Sequence, residues 1–205
     1  NEKFVINIGR QLGSGGRAIG EKLAAEFGIG FYDKELIQIA SKESGLGKEF
    51  FEKVDEKESH SFFGGLLGLR TNVNSEIYTN NYLCNETFFK IQSDVIRQLA
   101  KKESCVFVGR CADYILREDP RCINVFITAN TDDRIKRIAQ SHELSVEKAQ
   151  TLIEKTDKKR AEYYNFYSNK VWGAAESYHL CINSSVLGID EAVAFIRRFI
   201  EQKLG

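Results

Sequence analysis

Glycine and arginine supply the clearest chemical capability in this sequence. The stretch Gly9-Arg-Gln-Leu-Gly13-Ser-Gly15-Gly16-Arg17-Ala-Ile-Gly20 joins an apolar, β-branched run, Phe4–Ile8, to a segment with Ile19, Leu23 and Phe27 at helical spacing. Glycines at such a joint let backbone N–H groups turn toward an anion and let it come close, and a helix N-terminus adds the positive end of its dipole. Gly13, Ser14, Gly15, Gly16, Arg17 and Ala18 therefore form a candidate phosphate cradle. A tight turn that merely packs the helix on the sheet is the alternative.

Further cations follow. Arg110 comes just past the apolar run Cys105–Val108 and Gly109. Between Arg134 and Arg160 there are eight Lys and Arg against four Asp and Glu, a local excess that suits either an anion-covering segment or a solvated helix face. Asp33 stands where it would act near an acceptor or a metal ion, or would cap a helix starting at Lys34. The histidines His60, His142 and His179 show no triad or metal spacing, and no metal-ligand set is identifiable. Trp172 is expected to anchor packing. Phe62, Phe63, Leu66 and Leu67 would line a subsite or a contact between copies.

These residues need a scaffold, and the pattern supplies one. Strands are expected at Phe4–Ile8, Gly30–Tyr32, Cys105–Val108, Ile123–Thr128 and Leu180–Asn183, and helices at Gly16–Phe27, Lys34–Ser44, Glu86–Lys102, from Thr131, from Ser145 and over Asp190–Gln202. Near-continuous apolar strands alternating with helices argue a parallel sheet covered on both faces. In such sheets ligands bind beyond the carboxyl ends of the strands, which is where Gly9–Arg17, Gly109–Arg110 and the helix carrying Arg134 fall. Residues 60–82, rich in Gly, Asn and aromatics, show no steady period and are expected to form an irregular loop region.

Composition sets the outer bounds. With 205 residues the chain is expected to form a single domain. Its 29 Lys and Arg balance 29 Asp and Glu, which argues against bulk-charge binding to nucleic acid or an anionic membrane. No run reaches the roughly 20 apolar residues of a membrane span. Five cysteines without a CxxC pair argue against a disulfide framework or a zinc site, so a cytoplasmic setting is expected. The oligomeric state is not legible.

Two motif families compete for the glycine loop. Gly13-Ser-Gly15-Gly-Arg-Ala18 formally fits the dinucleotide pattern, with Asp33 about 20 residues later. The loop also resembles a P-loop in which Gly16 stands where the Lys belongs, or, shifted by one, Arg17 stands there with Ala18 in place of the Mg2+-binding hydroxyl. The rest of the chain decides. Cys105-Val-Phe-Val-Gly109-Arg110, Ile123-Asn-Val-Phe-Ile-Thr128, Asp132-Asp-Arg134-Ile-Lys-Arg137 and Ile182-Asn-Ser-Ser-Val-Leu-Gly-Ile189-Asp-Glu191 form an ordered series that resembles bacterial cytidylate kinases. With the loop and Tyr32-Asp-Lys-Glu-Leu-Ile37, the chain is most similar to the divergent cytidylate kinase-like family.

That resemblance implies a P-loop NTPase-like three-layer α/β fold: a five-stranded parallel sheet, flanking helices, a helical acceptor-site insertion over about 46–99 and a basic lid over about 134–170. It implies an ATP- and Mg2+-dependent phosphotransferase for nucleoside monophosphates, with CMP or dCMP the first acceptors. Arg17 would contact the donor phosphates. Arg160, Arg134 and Arg137 would be lid cations, and Asp33, Arg110 and Asp113 would meet the acceptor. The family's Asp after the Gly-Arg pair is Cys111 here, with Asp113 two residues on. Alternatives are a non-catalytic nucleotide-binding protein on the same fold, a kinase for another small metabolite and, last, a dinucleotide-dependent oxidoreductase.

Overall fold

A computed structural model describes residues 2–45 and 86–205. The described residues fall into two compact units, one of residues up to 34 with 97–205, the other drawn from 35–96. The first contains β1 (Val5–Arg10), α1 (Gly16–Phe27), β2 (Gly30–Tyr32), β3 (Cys105–Val108), the one-turn α4 (Ala112–Ile115), β4 (Cys122–Thr128), α5 (Thr131–His142), α6 (Val146–Ser168), β5 (Leu180–Asn183) and α7 (Ser184–Leu204). The second holds α2 (Lys34–Glu43), which starts at its edge, and most of α3 (Glu86–Lys102). In it α2 buries Ile37 and Ser41, and the Ser41 hydroxyl bonds back to the Ile37 carbonyl. The expected irregular loop region, most of the insertion, His60, Cys84 and the cluster Phe62, Phe63, Leu66 and Leu67 lie outside the described residues.

The five strands are all parallel, in the order β2-β3-β1-β4-β5. This is the parallel sheet with flanking helices that the sequence implies. β1 is central, with Ile8 opposite Val108 on one side and Val125 on the other. The strand ends therefore line up, and the segments leaving β1, β3 and β4 emerge together.

On one face Ile6 and Ile8 of β1, Val106 and Val108 of β3, and Val125 and Ile127 of β4 pack with Ile19 and Leu23 of α1 and Val193, Ile196 and Ile200 of α7. Alternation along β1 puts Ile6, Ile8 and Arg10 on one side and Val5, Asn7 and Gly9 on the other. Each fully buried Ile stabilises the fold by about 1.5–3 kcal/mol, so this face fixes where α1 begins. Elsewhere Phe126 carries an aromatic cluster, with Trp172 edge-on at 5.1 Å and Tyr178 at 4.9 Å. Trp172 is the packing anchor its context suggested.

α7 starts six residues earlier than its apolar period indicates. Its first turn, from Ser184, is separated by Gly188, at φ 77 and ψ 170, from the long segment that follows. A helical period cannot run through such a kink, so the sequence pattern registers only the second part. The early turn is capped by Asn183, whose side chain accepts the Ser185 N–H.

His179 leads into β5. Its backbone N–H donates to the Asn124 carbonyl, and its Nδ1 accepts the Asn124 N–H at 2.9 Å. Only a ring unprotonated at Nδ1 can accept, and burial, then Lys203 and Lys170, pull its pKa below the usual histidine value. With the folded pKa below the unfolded one, this contribution is complete above the unfolded pKa and fades as pH falls through the folded one. Imidazole NMR should show His179 titrating below about 6.5. The urea midpoint should fall further between pH 7 and pH 5 in the wild type than in His179→Ala.

Candidate phosphate-binding site

The glycine loop runs from the end of β1 to the start of α1 and turns on Gly13 and Gly15, both left-handed at φ 78 and 80. A side chain at 13 would also lie 2.8 Å from the Arg134 carbonyl oxygen, so the loop packs directly on the α5 backbone. Its carbonyls are all spoken for. Arg10 O accepts from Arg160, Gln11 O from the Ser14 hydroxyl, Leu12 O from Arg134, Gly13 O from Arg137, Ser14 O from the Ser184 hydroxyl and Gly15 O from Ile19 N–H. By contrast, no acceptor among the described residues takes the N–H groups of Gly13 and Gly15. Six oxygens tied back and two amides unclaimed at a helix N-terminus make a loop whose open polarity suits an anion.

The structure shows where each expected lid cation goes. Arg134 is buried: its Nε donates to Leu12 O at 2.8 Å, and it is ion-paired with Asp157 of α6. Asp157 also accepts the Leu12 N–H at 2.8 Å, so one ion pair grips both ends of Leu12. Arg137 donates to Gly13 O at 3.0 Å and to the Ser184 hydroxyl, and Arg160 to Arg10 O at 3.1 Å. The three arginines are thus brought together around the loop's outer edge. The Leu12 side chain packs with Ile138, Ala149 and Ile153 between α5 and α6, anchoring this segment to the loop.

Arg17 sits on the first turn of α1, more than half exposed. Its Nε and Nη2 donate to one Asp33 carboxylate oxygen at 3.0 and 2.9 Å, and Nη1 reaches Glu21 at 2.6 Å. Asp33 is buried beneath that contact. Ser14 is fully buried, its hydroxyl donating to Gln11 O and accepting weakly from Gly16 N–H. It shapes the loop from inside. Ala18 offers no hydroxyl, and no group of three potential metal ligands exists among the described residues.

The second turn, after β3, is left-handed at three successive residues, Gly109, Arg110 and Cys111, at φ 77, 62 and 58. Each non-glycine residue so held costs roughly 1–2 kcal/mol, and such strain persists where the surroundings enforce it. Arg110 is fixed by Tyr163 of α6, with its carbon Cζ 4.2 Å from the ring centroid and Nη2 donating to the phenol oxygen at 2.8 Å. Cys111 is buried, and burial pushes its thiol up to about 12. Asp113, two residues on, accepts the Tyr164 hydroxyl at 2.7 Å, and burial raises its carboxyl above the usual range. Tyr163 and Tyr164 are raised above ordinary phenols, first by burial.

Three residues of this arrangement were not singled out in the sequence: Asp157, Ser184 and Arg10. Asp157 lies 145 positions from Leu12, and nothing local announces the contact. Ser184 was legible only as part of the Ile182-Asn-Ser-Ser stretch. Arg10 falls inside the glycine loop in the sequence, with nothing to set it apart there.

Because the Arg134–Asp157 pair is largely buried, with Arg134 the deeper member, removing Asp157 strands a buried guanidinium. Asp157→Ala should lower stability by about 3–5 kcal/mol in urea unfolding, whereas an exposed pair such as Lys22 with Asp190 should lose less than about 1 kcal/mol when broken. The thiols give a second readout. Cys105, Cys111 and Cys122 are buried, with pKa values near 12, and Cys181 is exposed. At pH 8 the buried three are thiolate in only about one molecule in ten thousand. Among the four described cysteines, iodoacetamide should modify Cys181 first; equal labelling of Cys111 would show that the turn after β3 opens.

Comparison with known proteins agrees with this geometry. Among solved structures, an uncharacterized protein from Eubacterium ventriosum is 28% identical, with 97% of this chain and 99% of that one covered and a TM-score of 0.73. Shikimate kinase from Bacteroides thetaiotaomicron, at 14% identity, matches with a TM-score of 0.54 over 97% of this chain and 98% of that one. Shikimate kinase from Acinetobacter baumannii, solved in complex with shikimate, is 16% identical with a TM-score of 0.51 over 98% and 94%. These two show the fold alone, that of P-loop kinases. No curated protein matches the chain. The model of the cytidylate kinase-like family matches residues 5–186, and this chain belongs to that family.

Proposed function

We propose that this protein is an ATP-dependent phosphotransferase whose acceptor is a nucleoside monophosphate, CMP or dCMP first. The observation that carries the proposal is the loop's polarity: carbonyls from Arg10 to Gly15 all accept from protein donors, while no acceptor among the described residues takes the amides of Gly13 and Gly15. Family and fold support phosphoryl transfer in general.

The residues fit a nucleotide's phosphates. A side chain at Gly13 would meet the α5 backbone, so the glycine lets the loop pack on α5 in the left-handed turn that leaves its amide unclaimed. ATP supplies the phosphoryl group. The chain's part is to hold donor and acceptor in line and to place positive charge where negative charge develops. Arg110, on its left-handed turn beside the loop, is our candidate for the acceptor's phosphate, with Tyr163 fixing the guanidinium plane. Asp113, already bonded to Tyr164, would act by holding α4 in place. Arg137 and Arg160 support the loop and would complete the cationic rim. Arg17 would reach the donor phosphates after exchanging Asp33 or Glu21.

The fit to Mg2+ is narrower. With Ala18 in place of a hydroxyl, the ion would be carried mainly by the phosphates, as Mg2+ commonly is, and Asp33 is the carboxylate on that side of the loop. Releasing Asp33 from Arg17 is the condition for both roles.

The test is ADP release with Mg2+ across CMP, dCMP, UMP, AMP, GMP and shikimate. Turnover with a pyrimidine monophosphate is expected, and Arg110→Ala should raise the acceptor KM roughly 10- to 100-fold while leaving the KM for ATP within about threefold. Turnover with shikimate alone would move the protein to small-metabolite kinases, a reading that Cys111 in place of the family's Asp keeps open. Nucleotide binding without turnover at high enzyme would identify a binding protein. Absence of binding would sink the proposal.

A further inference from the structure

The geometry points to Arg10 as the cation that takes the place of the P-loop lysine, reaching the donor's terminal phosphates from the strand instead of from the helix. This rests on the phosphotransferase reading above and deepens it.

The standard loop has Gly, four residues, Gly, then Lys. Laid on this chain with Gly15 as its second glycine, the pattern puts Arg10 at the first glycine and Gly16 at the lysine. Cation and glycine have changed places. The structure gives the reason the two changes belong together. A Cβ built on Gly16 would collide with Cβ of Arg10 and stand 3.0 Å from its Cγ. One side chain fits in that space. A lysine at 16 requires a glycine at 10, and an arginine at 10 requires a glycine at 16.

The Arg10 side chain starts beside Gly16 and leads to the turn after β3. A Cβ on Gly109 would lie 2.5 Å from Arg10 Nη1 and 3.4 Å from its Cζ. Gly109 is also left-handed, so the guanidinium ends against a residue that has neither a side chain nor room for one. Arg10 therefore runs from the first turn of α1, where a donor's phosphates would lie, to the turn that carries Arg110. A phosphoryl group leaving donor for acceptor would cross that span. The Arg10 backbone is held: its carbonyl accepts from Arg160, and the next N–H, of Gln11, donates to Ile127 O. The rival cation, Arg17, points instead at Asp33 and Glu21. Arginine suits this post because its planar fork binds phosphate oxygens in pairs and stays charged at any working pH.

The experiment is calorimetric titration with Mg2+ and the imido analogue of ATP, and separately with AMP, on wild type, Arg10→Gln, Arg10→Gly and the double variant Arg10→Gly/Gly16→Lys. Thermal melting is recorded for each. Arg10→Gln should bind the triphosphate analogue roughly 10- to 100-fold more weakly and AMP within about threefold of wild type. Arg10→Gly should be as weak, and adding Gly16→Lys should recover at least about tenfold of the loss, which a merely structural role for Arg10 would not allow. Wild-type affinity in Arg10→Gln, or a double variant no better than Arg10→Gly, would overturn the assignment while leaving the phosphotransferase reading in place. Failure of every Arg10 variant to fold would make Arg10 structural and overturn it too. A wild type that binds no triphosphate would remove the underlying reading and this one with it.

Discussion

The ion pair between Arg134 and Asp157 is the contact on which the loop depends. It grips Leu12 at its N–H and at its carbonyl, and it is largely buried, Arg134 more than Asp157, so water is a poor substitute partner. With Leu12 fixed, the direction of the following peptides is limited, and the left-handed glycines set the rest. The outcome is a loop that spends its oxygens on protein donors and leaves amides for something else. A preformed arrangement of this kind needs little reorganisation when an anion arrives, which is the condition under which fixed dipoles are most effective.

Charge in this chain is positioned more than accumulated. The total is balanced, yet arginines from β1, α1, the turn after β3, α5 and α6 meet around one strand end. Several of them work on the protein itself, holding carbonyls or stacking on a tyrosine. That division separates cations that build the loop, such as Arg134, from those we propose to meet phosphate, such as Arg110 and Arg10. Asp33 joins the two groups, because the bond it makes with Arg17 is one that a bound nucleotide and its metal ion would contest.

Much of the fold was legible because it is written locally. Continuous apolar runs marked the strands, and the periods of Ile19, Leu23 and Phe27 gave α1 its limits to the residue. The turn from β1 into α1 was legible from glycine spacing between a strand and a helix. What could not be read was direction. Arg134, Arg137 and Arg160 appear in sequence as one basic run, and only packing decides that Arg134 turns inward to Asp157. Ser184 was hidden by the kink at Gly188, which interrupts the helical period just after it. Arg10 was legible only as one residue of the glycine loop, since spacing shows neither that β1 extends to it nor that the glycine at 16 makes room for its side chain.

Leu12 belongs to two structures at once: its backbone to the phosphate loop and its side chain to the apolar seam of α5 and α6. Were α5 and α6 to serve as a cover, they could not swing freely over a fixed floor. Moving α5 and α6 away must either pull Leu12 out of the seam or drag the floor with it. Admission and departure of a nucleotide would then be one concerted change in which grip and cover loosen together, and the tightness of a hydrophobic seam would set its timing.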